Sequence, residues 1–385
     1  MAGSALALAC GKAPPGSPSA STAAAAASAP AAGSVRPPNR AAEVNARVSI
    51  PGGKFRSGSR PGDAGRRPEL EPKEQEVELG PYQIDRLPFP NDPGKPALTG
   101  VSREEAKRRC AEAGARLCTE LEWERACRGP ASEAFPTGAS WDRRCGDDPK
   151  VCASGFDVLG MGAALREWTA SDVIPTDKDA ARRAAVRGGS RQAPEHEHRC
   201  AGRNGIDGDT KGEDLGFRCC AGPPNAAVVK EPALGQTFER AKIGAEELEK
   251  ALRADPRTEA LAKDVKLFRE PEAANTVVER GTGDKKGFLF TVAPLIWNPV
   301  AGAEYLVVSA RSGESTSFVV AFHVLGDGEY RLASSFVMKN EVGPVALAYS
   351  GYIRPRLHFS TCWGCPGETG KILHREPDSV VIVQP

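Results

Sequence analysis

The spacing of apolar and polar positions divides the chain into four stretches. Residues 1–45 are Ala, Ser, Pro and Gly with almost no branched or aromatic side chains. Such a segment buries too little apolar surface to offset its ordering entropy, so the pattern predicts a disordered linker. Strand and helix signals alternate over 46–222. Val48-Ser49-Ile50 predicts a short strand ended by the turn Pro51-Gly52-Gly53, and Val77, Leu79, Tyr82 and Ile84 predict another. Ser102 followed by Glu105 predicts a capping box, in which hydroxyl and carboxylate satisfy free backbone N–H groups. Ala106, Cys110 and Ala113 then line one helix face, which Gly114 ends. Thr119 and Glu122 predict a second box, before Trp123, Ala126 and Cys127, and Gly129 stops that helix.

Residues 223–258 begin with Pro223-Pro224, a linker signal. Phe238, Ala241, Ala245, Leu248 and Leu252 then predict an amphipathic helix over 236–254, with Glu246 and Lys250 as a favourable i,i+4 pair. Residues 259–385 turn to strands: Phe288–Val292, Tyr305–Ser309, Phe318–Leu325, Tyr330–Phe336, Val345–Tyr349, Leu357–Ser360 and Val380–Val383, with Gly326-Asp327-Gly328 as a hairpin loop. That number of short strands predicts an antiparallel sandwich or open barrel. The fold class is therefore α+β, a loop-rich domain followed by a mostly antiparallel β domain.

Composition changes this picture in two ways. Lys+Arg (51) and Asp+Glu (50) leave a net charge of +1. With no basic aromatic patch either, this argues against a nucleic-acid partner. Eleven cysteines point to an oxidising compartment or a metal protein. Met1–Cys10 reads MAGSALALAC and resembles the end of a bacterial lipoprotein signal, with Cys10 as the lipidated residue. On that reading the protein is exported to the periplasm or outer membrane and meets the membrane by a lipid anchor only. Ten cysteines then remain, an even number, all outside the tail. Cys145 and Cys152 are close enough to pair across a small loop.

The middle stretch carries recognisable landmarks. Ile50-Pro51-Gly52-Gly53-Lys54-Phe55 with Gly58-Ser59, Arg116 to Glu124 (RLCTELEWE), Phe135-Pro136-Thr137-Gly138, Glu167-Trp168-Thr169, Arg187-Gly188-Gly189-Ser190 and Gly216-Phe217-Arg218 resemble, in the same order, the formylglycine-generating enzyme (sulfatase-modifying factor) family. Cys118 stands where that family usually has Pro. The resemblance implies a loop-rich variant of the C-type-lectin fold. It also implies disulfides Cys110–Cys219 and Cys127–Cys200, which leaves Cys118 and Cys220 to pair by elimination. Family members that oxidise a sulfatase cysteine hold copper with a reactive cysteine pair after the GGS turn. Here that segment, Arg191 to Arg199, is RQAPEHEHR without a cysteine. Soft thiolate is what binds Cu(I) and reacts, so copper is not expected and no catalytic residue is assigned. The resemblance further implies a structural Ca²⁺ near Asp157 and Glu167.

Two motifs carry competing readings. His196 and His198 alternate as if on one face of a strand, a start for a Zn, Fe or Ni site. The lack of an identifiable third ligand favours a solvated loop. Cys362-Trp363-Gly364-Cys365 could be a thiol–disulfide catalyst, half a zinc site or a tight structural disulfide. Its strand context, with Gly and Pro around it, favours the last. Together these observations lead to a non-catalytic binding or envelope scaffold module whose partner is a peptide, glycan or envelope protein. The alternative is an oxidoreductase, of the formylglycine-generating type or using another metal or the CxxC.

Overall fold

The computed structural model describes residues 43–148, 151–163, 165–174, 181–233, 235, 237–281, 286–326, 328–341, 343–350, 356–367 and 369–384. Cys10 and the lipoprotein-like start lie outside them, as does Asp327 of the hairpin loop.

The first part of the chain runs β1 (Arg47–Ile50), β2 (Gly53–Ser57), β3 (Gln75–Leu79), β4 (Tyr82–Asp85), α1 (Arg103–Glu112), β5 (Arg116–Leu117), α2 (Glu120–Arg128), α3 (Arg144–Asp147), β6 (Arg166–Val173), β7 (Arg183–Arg187), β8 (Arg203–Ile206), β9 (Leu215–Phe217) and β10 (Cys219–Ala221). Two four-stranded sheets, ordered β1-β4-β10-β5 and β8-β7-β6-β9, flank the helices, and β2 pairs β3 as a hairpin. The single expected strand over Val77–Ile84 is two strands, broken at Gly80-Pro81. The capping box at α2 is complete: Thr119 accepts from the Glu122 N–H, and the Glu122 carboxylate accepts from the Thr119 N–H. At α1 only half of it forms. Ser102 Oγ accepts from the Glu105 N–H, but the Glu105 carboxylate turns to Arg108 and Arg109, because two cations lie one turn ahead of it.

The second part runs β11 (Thr237–Arg240), α4 (Ala245–Arg253), β12 (Val265–Leu267), α5 (Glu272–Glu279), β13 (Phe288–Thr291), β14 (Leu295–Asn298), β15 (Tyr305–Ser312), β16 (Thr316–Gly326), β17 (Glu329–Lys339), β18 (Ala346–Ser350), β19 (Arg356–Ser360), β20 (Gly370–Arg375) and β21 (Ser379–Val383). The helix expected from residue 236 begins only at Ala245. Phe238 instead lies opposite Trp297 on β14 and stacks on Tyr349. Its apolar side chain serves a sheet, and the 3–4 spacing with Ala241 is coincidental. β12, β14, β20 and α5 carry weaker periodic signals and were not expected.

Two antiparallel sheets, β11-β14-β15-β16-β17 with β12 beside β15, and β13-β18-β19-β20-β21, form a sandwich. Trp297, Tyr305, Val307 and Val319 of one meet Leu347, Leu357, Phe359 and Ile372 of the other. Leu248 and Leu252 of α4 cover the outer face of the first sheet, against Leu306, Val308, Val320 and Phe322. Val277 and Val278 of α5, with Trp363, cover part of the second. Burial on both faces explains why β15 and β16 read as continuous apolar runs. No helix among the described residues is long and apolar enough to cross a membrane.

A buried ion cluster joins the two parts. The loop after β2 carries Arg66, fully buried, into the edge of the sandwich. Its guanidinium donates to Asp378 Oδ2 at 2.8 Å, Ser59 Oγ at 3.0 Å and the Gly302 carbonyl at 3.1 Å. Tyr305 donates to Asp378 Oδ1 at 2.7 Å, and His323 Nδ1 lies 4.0 Å from the same oxygen. At Gly302 a Cβ would come within 2.0 Å of the Pro68 carbonyl, so only glycine permits this approach. Burial alone would raise the Asp378 carboxyl. Arg66 and the Tyr305 hydroxyl outweigh it and hold that group below its ordinary value. Burial lowers His323 to about 4, against the pull of Asp378 and together with the cations Arg66 and Arg331.

This cluster makes two measurable contributions. Arg66→Met leaves a buried carboxylate without its cation and is expected to cost about 3–5 kcal/mol in urea unfolding. An unchanged midpoint would show that the cluster does not bind the parts together. Acid should act on the same place. Above the ordinary histidine range His323 is neutral in both states. Below it the unfolded chain takes a proton that the native ring refuses, so stability falls as pH drops from about 6.5 towards about 4. His323→Phe should flatten that slope.

Candidate functional site: a cleft over a buried charge lattice

The site rests on α2, whose nine residues are all buried although its sequence, ELEWERACR, is mostly charged. Buried carboxylates need partners, and each is met by arginine. Glu120 receives Arg203 at 2.5 and 2.9 Å and forms an ion pair with Arg187 at 2.9 Å. Glu124 receives Arg128 at 2.8 Å, Arg187 at 3.1 Å and the Gly58 N–H at 2.8 Å. Burial opposes ionisation of Glu124, but Arg187 and Arg128 prevail and its carboxyl sits below the ordinary range. Glu167 on β6 is gripped by Arg218 at 2.7 Å to each oxygen and by the Trp123 indole N–H at 2.9 Å. The remaining Arg218 protons reach the Asp85 and Leu159 carbonyls.

Beside this lattice lies an open cleft of about 870 Å³. Its floor includes Leu87, Pro88, Ala163 and Leu165. One wall is the proline-rich loop from Pro88 to Thr99, and the other includes Arg191, Gln192, Glu213 and Asp214. Phe89 anchors the loop by stacking on Phe217 at 4.8 Å, and the Phe89 N–H donates to the Phe217 carbonyl. Asn91 bonds the Leu87 N–H and the Ala46 carbonyl. Among the described residues the lining has four carboxylates, Asp92, Asp148, Glu213 and Asp214, against two cations, Lys95 and Arg191. Asp92 is held below its ordinary value by the Gly94 N–H, with Lys95 assisting. Asp214 is held below its own by Arg166, which donates at 2.8 and 2.9 Å. The run PFPNDPGKP was the available signal for this wall, and hydrophobic periodicity passes over it.

The sequence-derived candidates take different places. Residues 195–198 form one turn of 3₁₀ helix, not a strand, so His196 and His198 do not share a face. Pro194 sets the start of the turn, and the buried His198 holds it inward. Its Nδ1 is 2.7 Å from the Gly162 carbonyl, its Nε2 is 3.2 Å from the Ala193 carbonyl, and its ring stacks on Trp141 at 4.1 Å. The His196 ring packs on Gly65. Asp157 faces Arg86 at 2.8 Å. Among the described residues, no group of three or more His, Cys, Asp or Glu is placed to hold a metal. The described cysteines form five disulfides: Cys110–Cys219, Cys118–Cys220, Cys127–Cys200, Cys145–Cys152 and Cys362–Cys365.

Residues 89–222 match the sulfatase-modifying factor enzyme 1-like domain, and the middle of this chain carries a domain of that family. Among solved structures the chain is similar to PvdO from Pseudomonas aeruginosa, at 20% identity over 45% of this chain and 93% of that one, with a TM-score of 0.38. It is also similar to Treponema denticola variable protein 1, at 13% identity over 46% of this chain and 95% of that one, with a TM-score of 0.36. A third likeness is to CarF, at 14% identity over 46% of this chain and 97% of that one, with a TM-score of 0.34. No curated protein matches the chain.

Copper, and a calcium ion at Glu167, do not fit the residues present, whereas Asp157 keeps Oδ1 buried without a hydrogen-bond partner. The segment after the GGS turn offers copper no thiol. At Glu167 a guanidinium occupies both oxygens, and its charge opposes a dication. Arg218, itself one of the landmark residues, neutralises Glu167 here. Chelation of divalent ions is expected to leave the melting temperature unchanged, whereas Arg218→Met should lower it by several degrees, as buried-pair rupture does. A large chelator effect would return Glu167 to the metal reading.

Proposed function

We propose that this protein is an exported, lipid-anchored binding module. Its sulfatase-modifying-factor-like domain holds an extended polypeptide segment in the cleft beside Pro88–Thr99 and performs no oxidation there. One observation carries the reading. Arg191 and Gln192 line the cleft from the segment in which the family's reactive cysteines would stand, and every described cysteine is closed in a disulfide. The five disulfides support an oxidising environment.

The lining favours peptide over glycan. Among the described residues it includes no aromatic side chain on which a sugar ring could lie. Its prolines and leucines suit aliphatic or prolyl side chains, and its excess of carboxylates suits basic ones. An envelope protein with an exposed basic, proline-containing segment fits this description.

Panning a displayed library of extended peptides against the purified protein tests the cleft. Basic, proline- or aliphatic-rich sequences should be enriched, and Glu213→Lys on the exposed rim should weaken them roughly tenfold. Equal binding to Glu213→Lys would remove the cleft from the reading. Conversion of a sulfatase-derived cysteine peptide to the aldehyde, with Cu(I), thiol and oxygen supplied, would replace binding by catalysis. Anchoring has its own check: an alkyne fatty acid fed to expressing bacteria should label the wild type and not Cys10→Ser.

A further inference from the structure

The four disulfides of the first part are sealed, with all eight of their cysteines 0–1% exposed. Cys362 and Cys365 are each part-exposed, in the loop between β19 and β20. A reductant therefore reaches this pair without unfolding the protein, while the others require opening of the core. The pair closes a loop with a sequence separation of only 3. Loop-closure entropy grows with loop length, so this bond contributes least to the fold.

The loop is anchored without the sulfur bond. Ser360 Oγ accepts from the Cys362 N–H at 3.0 Å and donates to the Cys362 carbonyl at 2.7 Å. The Trp363 N–H donates to the Val277 carbonyl of α5 at 2.8 Å. The Trp363 ring is buried against Phe288 and Phe290, each at 4.8 Å between centroids. Beyond it Gly364, in the left-handed region at φ 82°, Pro366 and Gly367 are all exposed. Cys365 Sγ lies 3.9 Å from the Arg280 carbonyl. The Arg280 guanidinium reaches the Thr361 carbonyl at 3.3 Å, one residue from Cys362.

We propose that Cys362–Cys365 is a thiol–disulfide exchange site for a partner protein's dithiol, separate from the peptide cleft. A thiolate of the partner attacks Cys365 Sγ, which lies between the exposed Gly364 and Pro366. The Cys362–Cys365 bond breaks, a mixed disulfide forms at Cys365, and Cys362 leaves as the thiolate. The partner's second thiolate then attacks its own sulfur in the mixed disulfide and releases Cys365. Two electrons and two protons pass from the partner to this protein: the partner dithiol becomes a disulfide and Cys362 and Cys365 become thiols. The positive charge of Arg280 favours the leaving thiolate, which makes Arg280 a positioning residue. Burial of Trp363 and the Ser360 bonds hold the reduced loop near its oxidised shape, so the pair can close again.

The test is mild reduction of the full folded chain with dithiothreitol, followed by alkylation and peptide mapping. Cys362 and Cys365 should open at least about tenfold faster than any other pair, with a change in tryptophan fluorescence and full reclosure under oxidised glutathione. Cys362→Ser should trap glutathione at Cys365 as a stable mixed disulfide. Arg280→Met should slow opening and move the pH profile of reclosure under oxidised glutathione upward while leaving the melting temperature nearly unchanged. A pair that opens only when the whole protein unfolds, or opens and fails to reclose, would overturn the proposal. So would trapping by Cys365→Ser at Cys362 at the same rate, or an Arg280→Met profile identical to the wild type.

Discussion

Burying charged side chains is possible here only because each buried carboxylate is met by an arginine. α2 is the extreme case. It lies wholly inside the first part of the molecule and yet carries Glu120, Glu122 and Glu124, matched by Arg203, Arg116 and Arg128 with Arg187 between. Arginine suits this task because its planar fork satisfies two carboxylate oxygens at once and keeps its charge on burial. Such pairs add little net stability over an apolar core, but breaking one is costly. They therefore act as constraints on geometry: the strands that supply the arginines must sit where the helix needs them.

The same device runs outward from α2. Arg203 also holds the Leu70 carbonyl and Glu231 of the linker. Arg199 holds Glu71 and the Gly65 carbonyl. These bonds shape the loop that presents Arg66 to Asp378, so the β sandwich is keyed to the first part through the charge lattice. The cleft is bounded at one end by this architecture. Arg166 fixes Asp214 on its rim, and His198 is clamped between two carbonyls beneath Gly189 and Gly162.

Redox chemistry divides along burial. Disulfides enclosed with Trp123 and Phe217 in the core belong to the fold. The Cys362–Cys365 pair is part-exposed, on a loop fastened by hydrogen bonds and one buried indole. The two proposed sites lie in different parts of the molecule and use different chemistry.

Much of the fold was legible from residues alone. The capping box at Thr119 and Glu122, the strands around Tyr305 and Phe318 and the ordered landmarks of the middle domain all act through short-range pattern, which a sequence carries directly. The absence of a thiol between Ser190 and Arg199 was equally a property of sequence. The sequence could not show where charges go once buried. The alternation in EHEH suited a strand, yet packing of His198 on Trp141 and of His196 on Gly65 made a 3₁₀ turn. The carboxylate of Glu167 suited calcium until Arg218, distant in sequence, arrived at both oxygens. Phe238 kept helical spacing and still joined a sheet, because Trp297 and Tyr349 offered it a place there. Local propensity is worth tenths of a kilocalorie per residue, whereas satisfying a buried charge or aromatic ring is worth several-fold more. Elements and cysteine count were therefore settled by the chain itself, and the cleft, the ion lattice and the reach of each disulfide only by tertiary contact.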